Sequence, residues 1–211
     1  VGRLGKIKDQ GIYGTCWAFA SLTAVETSLM PEEKYDFSED NMVWNSGYFG
    51  AQYDGGDYTR AISYLASWRG PVLEEDDVYG DGINNPDAGV VKHVQEAQII
   101  ESKNLEAVKK AVFLYGGVES SLYTSMSYAG ERSMYYNDKN YSYCYIGTKK
   151  PNHDVVIIGW DDNYSKDNFS VSLEGNGAFI CVNSWGDRFG DDGLFYVSYY
   201  DSNIGIHNVV Y

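Results

Sequence analysis

The sequence of 211 residues predicts an α+β protein in which helices come first and strands follow. In the first half, apolar residues recur every three or four positions, which is typical of helices that bury one face. In the second half, short apolar runs between polar segments indicate buried strands. We therefore expect a single domain, residues 1–211, with a helical lobe over 12–102 and an antiparallel, β-barrel-like lobe over 103–211. The segment 1–11 is a candidate for crossing to the second lobe.

Start and stop signals define four helices. The first begins near Thr15, carries its apolar residues on one face, and ends at Pro31. Ser38, Asp57 and Asn104 are the expected N-caps of the next three helices, because their side-chain oxygens can accept backbone N–H groups of the first turn. The sequence thus places three helices in the first lobe and one at the start of the second.

Strands and loops alternate in the second half. Four apolar runs are predicted strands: residues 155–160, 178–182, 194–197 and 204–211. Residues 74–104 and 161–177 are polar and turn-forming, so both are predicted loops. The second loop contains clustered oxygen donors, Asp161, Asp162, Asn163, Asp167 and Asn168. A calcium site therefore stays an open alternative. The loop lacks the spacing of an EF-hand, and an ordinary polar loop is favoured.

The charge balance argues against nucleic acid and anionic membranes as partners. The chain has 30 Asp and Glu against 16 Lys and Arg, a formal net charge of −14, so it lacks the basic stripe that binds phosphates. No apolar run reaches the roughly 18 to 20 residues that cross a bilayer. The sequence begins at Val1 rather than Met, and we expect a processed or excised product.

The three cysteines, Cys16, Cys144 and Cys181, are too few for a disulfide scaffold. If Cys16 has to stay reduced, only Cys144 and Cys181 can pair. Whether they do is left open, and buried free thiols are the default expectation.

Cys16 stands at the first turn of the strongly periodic first helix. Unpaired backbone N–H groups and the positive end of the helix dipole favour a thiolate there. The dipole contributes up to about 2 kcal/mol, or roughly 1.5 pKa units, whereas catalytic thiols can fall several units below about 8.5. A cationic partner therefore has to supply the rest.

His153 is the expected partner of Cys16, since it opens one apolar strand while Asn183 closes another. An Asn183 amide oxygen that accepts one ring N–H leaves the other ring nitrogen facing the sulfur. The side-chain NH2 of Gln10 and the backbone N–H of Cys16 can together form an oxyanion hole. A thiol, an imidazole and two side-chain amides point to acyl transfer by a nucleophilic cysteine.

Four blocks carry a resemblance to a known family: Gln10-Gly11-Ile12-Tyr13-Gly14-Thr15-Cys16-Trp17-Ala18-Phe19-Ala20, Gly55-Gly56, Asn152-His153 and Asn183-Ser184-Trp185-Gly186. The chain resembles papain-like cysteine peptidases over nearly its whole length, and within them the bacterial surface-associated branch. The resemblance implies the papain-like two-lobe fold with the active-site cleft between the lobes. It also implies an endopeptidase that hydrolyses peptide bonds without a metal or an organic cofactor.

The resemblance assigns a role to each matching residue. Cys16 would be the nucleophile and His153 the general base and acid. Asn183 would orient His153, and Gln10 would donate to the oxyanion. Trp185 would shield the hydrogen bond between the amide and the imidazole from water. The expected substrate-binding residues are Gly55, Gly56, Asp57, Tyr58, Asn152, Asp154 and Trp185.

Two departures from the family pattern are informative. Tyr13 and Tyr53 stand where many relatives have the two halves of a disulfide, so we expect aromatic packing in its place. Asp154 stands where relatives carry a small apolar residue of the second specificity pocket. We hypothesise that Asp154, with Asp57, favours Lys or Arg two residues before the scissile bond. The alternative, that Asp154 faces solvent or bonds a backbone amide, stays open.

Two other functions stay open. One is a different thiol acyl-transferase, a transpeptidase or amidase acting on cell-wall peptides. The other is an inactive surface binding module, which the 20 tyrosines suggest, although the intact set of Cys16, His153, Asn183 and Gln10 counts against it. By family analogy and acidic composition, we expect a secreted or cell-surface monomer. Its expected partners are a protein or peptide substrate and a pro-segment that fills the cleft until it is removed.

Overall fold

A computed structural model of the protein describes residues 2–48 and 54–211. These residues form four α-helices: α1 (Cys16–Leu29), α2 (Glu39–Asn45), α3 (Tyr58–Ala66) and α4 (Leu105–Leu114). They also form eight strands: β1 (Gln98–Ile99), β2 (Val118–Leu122), β3 (Tyr136–Asn137), β4 (Ser142–Tyr143), β5 (His153–Asp161), β6 (Ala178–Val182), β7 (Leu194–Ser198) and β8 (Asn208–Val210).

The four predicted helices are confirmed, and three of them begin as the sequence indicates. The side-chain oxygens of Ser38, Asp57 and Asn104 accept backbone N–H groups two or three residues further on, at 2.8 to 3.0 Å. α1 ends just before Pro31, as predicted, whereas Thr15 at its other end makes no capping bond with its side chain. Within the described ranges, no helix is both long and apolar enough to pass through a bilayer.

All eight strands belong to one sheet, in the order β1-β8-β2-β5-β6-β7-β4-β3. Neighbouring strands are antiparallel except β4 and β7, which are parallel. A helical first half followed by a mostly antiparallel second half is therefore confirmed. β5 lies in the middle of the sheet and begins at His153, so the imidazole is carried by the first residue of a central strand.

The sequence prediction missed β2 and made the last strand too long. β2 has the sequence Val-Glu-Ser-Ser-Leu, which is no apolar run, yet all five residues are buried. Polar side chains of β2 find partners inside the protein, since Ser121 donates to Asp154 at 2.6 Å. Residues 204–207 form turns and bends, so the strand predicted over 204–211 shrinks to β8. The two-residue strands β1, β3 and β4 were also not predicted.

α1 lies between two groups of buried side chains. One side of the helix packs on α2 and α3, where Trp17 and Leu65 share a cluster. The other side packs on the sheet, where Ala20 meets Val156 of β5. A small alanine side chain lets the helix approach the sheet closely. This packing fixes Cys16, the first residue of α1, against the start of β5.

The N-terminal segment contacts both halves of the protein. Gln10 donates its backbone N–H to the Ser184 carbonyl at 2.8 Å, and Gly186 donates to the Lys8 carbonyl at 2.9 Å. The Lys8 side chain points the other way, into the helical half. β1 belongs to the part of the chain assigned to the helical lobe, yet it pairs with β8 of the second half. The lobe boundary at residue 102 stays a prediction.

One question that the sequence left open, the pairing of the two remaining cysteines, is answered by the structure, and the calcium site stays an untested alternative. Cys144 and Cys181 are buried free thiols, so they form no disulfide. In the loop 161–177, Asp162 accepts from the Lys109 ammonium at 2.7 Å. Among the described residues, no group of three or more His, Cys, Asp or Glu side chains is arranged to hold a metal ion.

The Lys8 ammonium is buried among carboxylates. Its Nζ lies 2.8 Å from an oxygen of Glu26, 2.8 Å from one of Glu39 and 2.9 Å from one of Asp36. Burial alone lowers the pKa of Lys8, but the charges of Glu39 and Glu26 outweigh it and raise this pKa above its ordinary value. The ion cluster therefore fastens the segment that carries Gln10 to the helices.

We predict that Lys8→Met lowers the free energy of unfolding at pH 7 by about 3 to 5 kcal/mol, because it leaves buried carboxyl groups without their partner. Urea denaturation followed by tryptophan fluorescence measures the change. Lys6→Met is the matched control, since Lys6 is exposed and 3.7 Å from Asp36, and its removal costs less than about 1 kcal/mol. Equally small effects of both substitutions contradict the role given to Lys8.

Candidate active site

The Cys16 sulfur lies at the N-terminal end of α1, against the first residues of β5. The backbone N–H groups of Asp154 and Trp17 both hydrogen-bond to it. Because Asp154 directly follows His153 in the chain, the first of these bonds places the sulfur beside the position that carries the imidazole. Two N–H donors and the start of a helix stabilise negative charge on sulfur.

His153 has one ring nitrogen bonded to a side-chain amide, and this bond fixes its tautomer. Its Nε2 lies 2.8 Å from Oδ1 of Asn183. Since an amide oxygen only accepts, Nε2 carries the proton and Nδ1 the lone pair. The same Oδ1 accepts the Ser184 backbone N–H at 2.8 Å, which fixes the amide. The buried indole of Trp185 packs beside the imidazole, with ring centroids 4.8 Å apart, and this limits the access of water to the bond.

Burial opposes a charge on either Cys16 or His153 alone. It raises the pKa of the Cys16 thiol to about 12, and the nearby Asp154 carboxyl adds to this. It lowers the pKa of His153 to about 4, against the effect of the Asn183 hydrogen bond. A thiolate and an imidazolium that form together add no net charge and attract each other. A proton transfer from Sγ to Nδ1 would produce such a pair of charges.

The Gln10 side chain is held at both ends of its amide. Its Oε1 accepts the Ser184 hydroxyl at 2.7 Å, and its Nε2 donates to the Tyr13 carbonyl at 2.7 Å. The amide therefore keeps a second N–H for another acceptor. The Cys16 backbone N–H is among the first-turn groups that helix geometry leaves without an intrahelical acceptor. These two donors are suited to an oxyanion that forms next to the sulfur.

An open groove with a volume of about 960 Å³ passes this group of residues. Cys16, His153 and Gln10 all line it, and Asn183 lies buried behind the imidazole. The four residues that the sequence singled out for chemistry are thus brought together, although they come from three separate segments of the chain.

Only part of the predicted substrate-binding set lines this groove. Asn152 and Trp185 do, whereas Gly55, Gly56, Asp57, Tyr58 and Asp154 do not. The Asn152 side chain is engaged by the protein itself, since Oδ1 accepts the Thr124 N–H and Nδ2 donates to the Thr124 carbonyl, both at 2.8 Å. Asn152 therefore fastens the chain after β2 to the start of β5, and this sets the position of His153.

The Gly-Gly pair before α3 is required by packing. A Cβ atom on Gly56 would lie 2.6 Å from the Trp17 indole, closer than a well-packed interior accepts. Gly55 has φ +71°, in the region that favours glycine. Next along the chain, Asp57 caps α3. The Tyr58 ring lies 5.4 Å from the His207 ring, centroid to centroid. The missing Cβ of Gly56 thus accommodates the indole, a reason that the sequence did not supply.

The Asp154 carboxyl is buried near the thiol and does not face solvent. Its Oδ1 accepts the Ser121 hydroxyl at 2.6 Å. Burial raises the pKa of Asp154 to about 7; the Ser121 bond acts against this and the charge of Asp57 adds to it. The residue after the imidazole is therefore a carboxyl that changes charge near neutral pH.

Glu119 is a buried acid at the site that sequence reasoning missed. It lies on β2, two positions from Ser121 and on the same face of that strand. Its Oε2 accepts the Tyr211 hydroxyl at 2.7 Å, while its Oε1 has no hydrogen-bond partner among the described residues. Because β2 was not recognised as a strand, nothing in the sequence indicated that Glu119 points inward.

The expected aromatic packing in place of a disulfide involves Tyr13. Its ring meets Tyr79 edge-on, with centroids 6.0 Å apart. Tyr53, the other residue of this expectation, lies outside the described residues, so packing between Tyr13 and Tyr53 stays a prediction.

The sequence model of one protein family, described as papain family cysteine protease, matches residues 1–211. The chain belongs to the papain family of cysteine proteases. Among papain-family relatives, it is 29% identical to falcipain-3 of Plasmodium falciparum over 91% of this chain and 38% of the relative. It is 28% identical to a cysteine protease of Blomia tropicalis over 99% of this chain and 62% of the relative. The chain thus spans less than two thirds of the length of these relatives.

Solved papain-family structures confirm the predicted papain-like α+β fold. The clostridial cysteine protease Cwp84, after propeptide cleavage, matches with a TM-score of 0.86 and 34% identity over 98% of this chain and 54% of that one. A second structure holds the protease and lectin-like domains of Cwp84, a surface layer associated protein of Clostridium difficile. It matches with a TM-score of 0.84 and 32% identity over 98% and 48% of the two chains. Bromelain of Ananas comosus, at 20% identity, a TM-score of 0.73 and coverage of 100% and 96%, supports the fold alone.

The burial of Asp154 is expected to make the free energy of unfolding depend on pH. Between about pH 4 and pH 7 the unfolded chain has lost the Asp154 proton while the folded protein keeps it, so stability falls as pH rises through this window. We predict that Asp154→Asn removes this slope. Relative to wild type, the variant gains on the order of 4 kcal/mol of unfolding free energy from pH 4 to pH 7. Urea denaturation at each pH measures the difference.

Asp162→Asn is the control for this experiment. Lys109 and Tyr199 hold the pKa of Asp162 below its usual value. The contribution of Asp162 to the free energy of unfolding therefore changes only at lower pH. The stability difference between wild type and Asp162→Asn is expected to stay flat from pH 4 to pH 7. An equally flat difference for Asp154→Asn would overturn the assignment of a protonated carboxyl beside Cys16.

Proposed function

We propose that this chain is a cysteine endopeptidase that hydrolyses peptide bonds through a thioester on Cys16. The observation that supports this best is the bond from His153 Nε2 to Asn183, which leaves the lone pair on Nδ1, together with the Asp154 backbone N–H that bonds the Cys16 sulfur. Membership of the papain family and the protease names of its relatives add support.

The reaction we propose begins with transfer of the Cys16 proton to Nδ1 of His153. The sulfur then attacks the scissile carbonyl, and the oxyanion is held by the Gln10 amide and the Cys16 N–H. His153 gives its proton to the leaving amine as the C–N bond breaks, which leaves a thioester. His153 next takes a proton from water, hydroxide adds to the thioester carbonyl, and the C–S bond breaks to release the acid. The thiolate regains the proton from the imidazolium.

The location of the protein and its activation are inferred from the relatives. Because Cwp84 is a surface layer associated protein whose propeptide is cleaved, we infer that this chain acts outside the cell. We also infer that a pro-segment occupies its groove before activation. The acidic net charge suits a soluble monomer that acts on proteins or peptides, with neither nucleic acid nor membrane insertion in its function.

Active-site labelling tests the proposed nucleophile. An epoxysuccinyl thiol inhibitor is expected to add one molecule to the protein and abolish peptide hydrolysis, because Cys16 opens onto the groove. Cys16→Ala should lose both labelling and activity. Cys144→Ala is the matched control, since this thiol is fully buried away from the groove, and both properties should remain. Product analysis with an added amine separates hydrolysis from transpeptidation, and exclusive aminolysis contradicts the endopeptidase assignment.

We further propose that Asp154 and Glu119 select a basic side chain two residues before the scissile bond. Strand pairing places Ser121 opposite Asp154 and Glu119 opposite Val156, so the two acids are diagonal neighbours on one face. The charge of Asp57 acts on both. Burial raises the pKa of both acids and neither lines the groove, so a Lys or Arg side chain has to reach them from it. Its charge then favours their ionised form, and the Asp154 carboxyl and the unpartnered Oε1 of Glu119 accept its N–H groups.

A peptide library that varies this substrate position tests the preference. We predict that wild type favours Lys and Arg over Leu, and that Asp154→Asn and Glu119→Gln each lower the ratio of kcat/KM values by about tenfold, the effect of one lost charged hydrogen bond. Asp162→Asn, an exposed acid paired with Lys109, is expected to leave the ratio unchanged. If neither buried substitution alters the ratio, the acids do not set specificity.

A further inference from the structure

A single hydroxyl connects the two chain segments that carry the oxyanion donors. The Tyr79 hydroxyl donates to the Gln10 carbonyl at 2.8 Å, and it lies 2.7 Å from Oγ1 of Thr15. Since the tyrosine proton is committed to the carbonyl, the threonine hydroxyl is the donor in the second bond. Gln10 carries one expected oxyanion donor on its side chain. Thr15 immediately precedes Cys16, whose N–H is the other.

The turn between Gln10 and Cys16 is the reason that a connection through the Tyr79 hydroxyl matters. Residues 11–14 form an exposed turn that includes Gly11 at φ +61°, and the Ile12 side chain is 83% exposed. Gly11 and Ile12 do little to hold the shape of the turn, which depends on Tyr13: its carbonyl accepts from Nε2 of Gln10 at 2.7 Å, and its ring packs against Tyr79. The distance between the Gln10 amide and the Cys16 N–H therefore depends on what holds the two ends of the turn.

Tyr79 is itself well anchored. Its ring packs edge-on against Phe19, one turn into α1, with centroids 4.8 Å apart. Its backbone N–H donates to Glu74 at 2.9 Å, and the next N–H, of Gly80, donates to Asp40 of α2 at 2.7 Å. Burial raises the pKa of Tyr79 above its ordinary value, so the hydroxyl stays a donor at all working pH values. The connection is thus fixed to the helical half of the protein.

We propose that Tyr79 is a positioning residue for catalysis, which sets the spacing between the Gln10 amide and the Cys16 N–H through its hydroxyl. It touches neither substrate nor the reacting atoms. This inference rests on the proposed peptidase function. Thr15 uses its hydroxyl for this connection instead of capping α1, which accounts for the missing N-cap bond of α1.

Tyr79→Phe keeps the ring and removes only the hydroxyl. Because the oxyanion donors act in the transition state and not in substrate binding, we expect kcat for a peptide substrate to fall about tenfold while KM stays within about twofold. Alkylation of Cys16 by iodoacetamide forms no oxyanion, so its rate is expected to match wild type. Tyr64→Phe is the matched control. It removes another buried hydroxyl, bonded to Asn41 at 2.6 Å in the helical core, and kcat should be retained.

A double-mutant cycle with Gln10→Ala tests whether the effect passes through the oxyanion donors. If it does, adding Tyr79→Phe to Gln10→Ala lowers kcat by less than the same substitution does in wild type. Fully additive losses, an unchanged kcat in Tyr79→Phe, or an equal loss of alkylation rate each overturn the proposal. A wild-type protein that is alkylated at Cys16 but hydrolyses no peptide overturns the proposed function instead, so the two failures are distinguishable.

Discussion

The contact between the first residue of α1 and the first residues of β5 is the constraint on which the site depends. It brings a thiol from a helix start together with an imidazole from a strand start, and both are buried. Burial makes each charge unfavourable alone, and the proposed reaction forms the two charges as a pair. The hydrogen bond to Asn183 decides which ring nitrogen of His153 carries the proton. Chemistry at this site therefore follows from packing.

Further contacts hold the Gln10 amide near Cys16 and His153. The N-terminal segment is tied to the loop after β6 through its backbone and to the helices through Lys8. Gln10 sits between these attachments, with its amide fixed by Ser184 and its carbonyl by Tyr79. The same segment thus connects the two halves of the protein and carries the proposed oxyanion donor. Substitutions at these attachments are expected to slow the reaction because they displace the Gln10 amide, without removing a reacting group.

Local signals in the sequence were enough for the helices, and they singled out the residues that we propose for catalysis. Caps such as Ser38 are decided within one turn, and the motif around Cys16 is contiguous. What could not be predicted depends on residues far apart in sequence. β2 is polar, and it lies in the centre of the sheet because Asp154 and Tyr211 supply partners for its side chains. The burial of Glu119 follows from that pairing, and no periodicity indicates it.

The central claim is that the charges on Cys16 and His153 appear together. Nitrogen-15 NMR of the His153 ring, in wild type and in Cys16→Ala, tests it most directly across pH 4 to 8. The account predicts a doubly protonated ring near neutral pH in wild type, with the second proton taken from the thiol. In Cys16→Ala the ring should stay neutral down to about pH 4, because burial then acts alone. The same titration in both proteins would contradict the account.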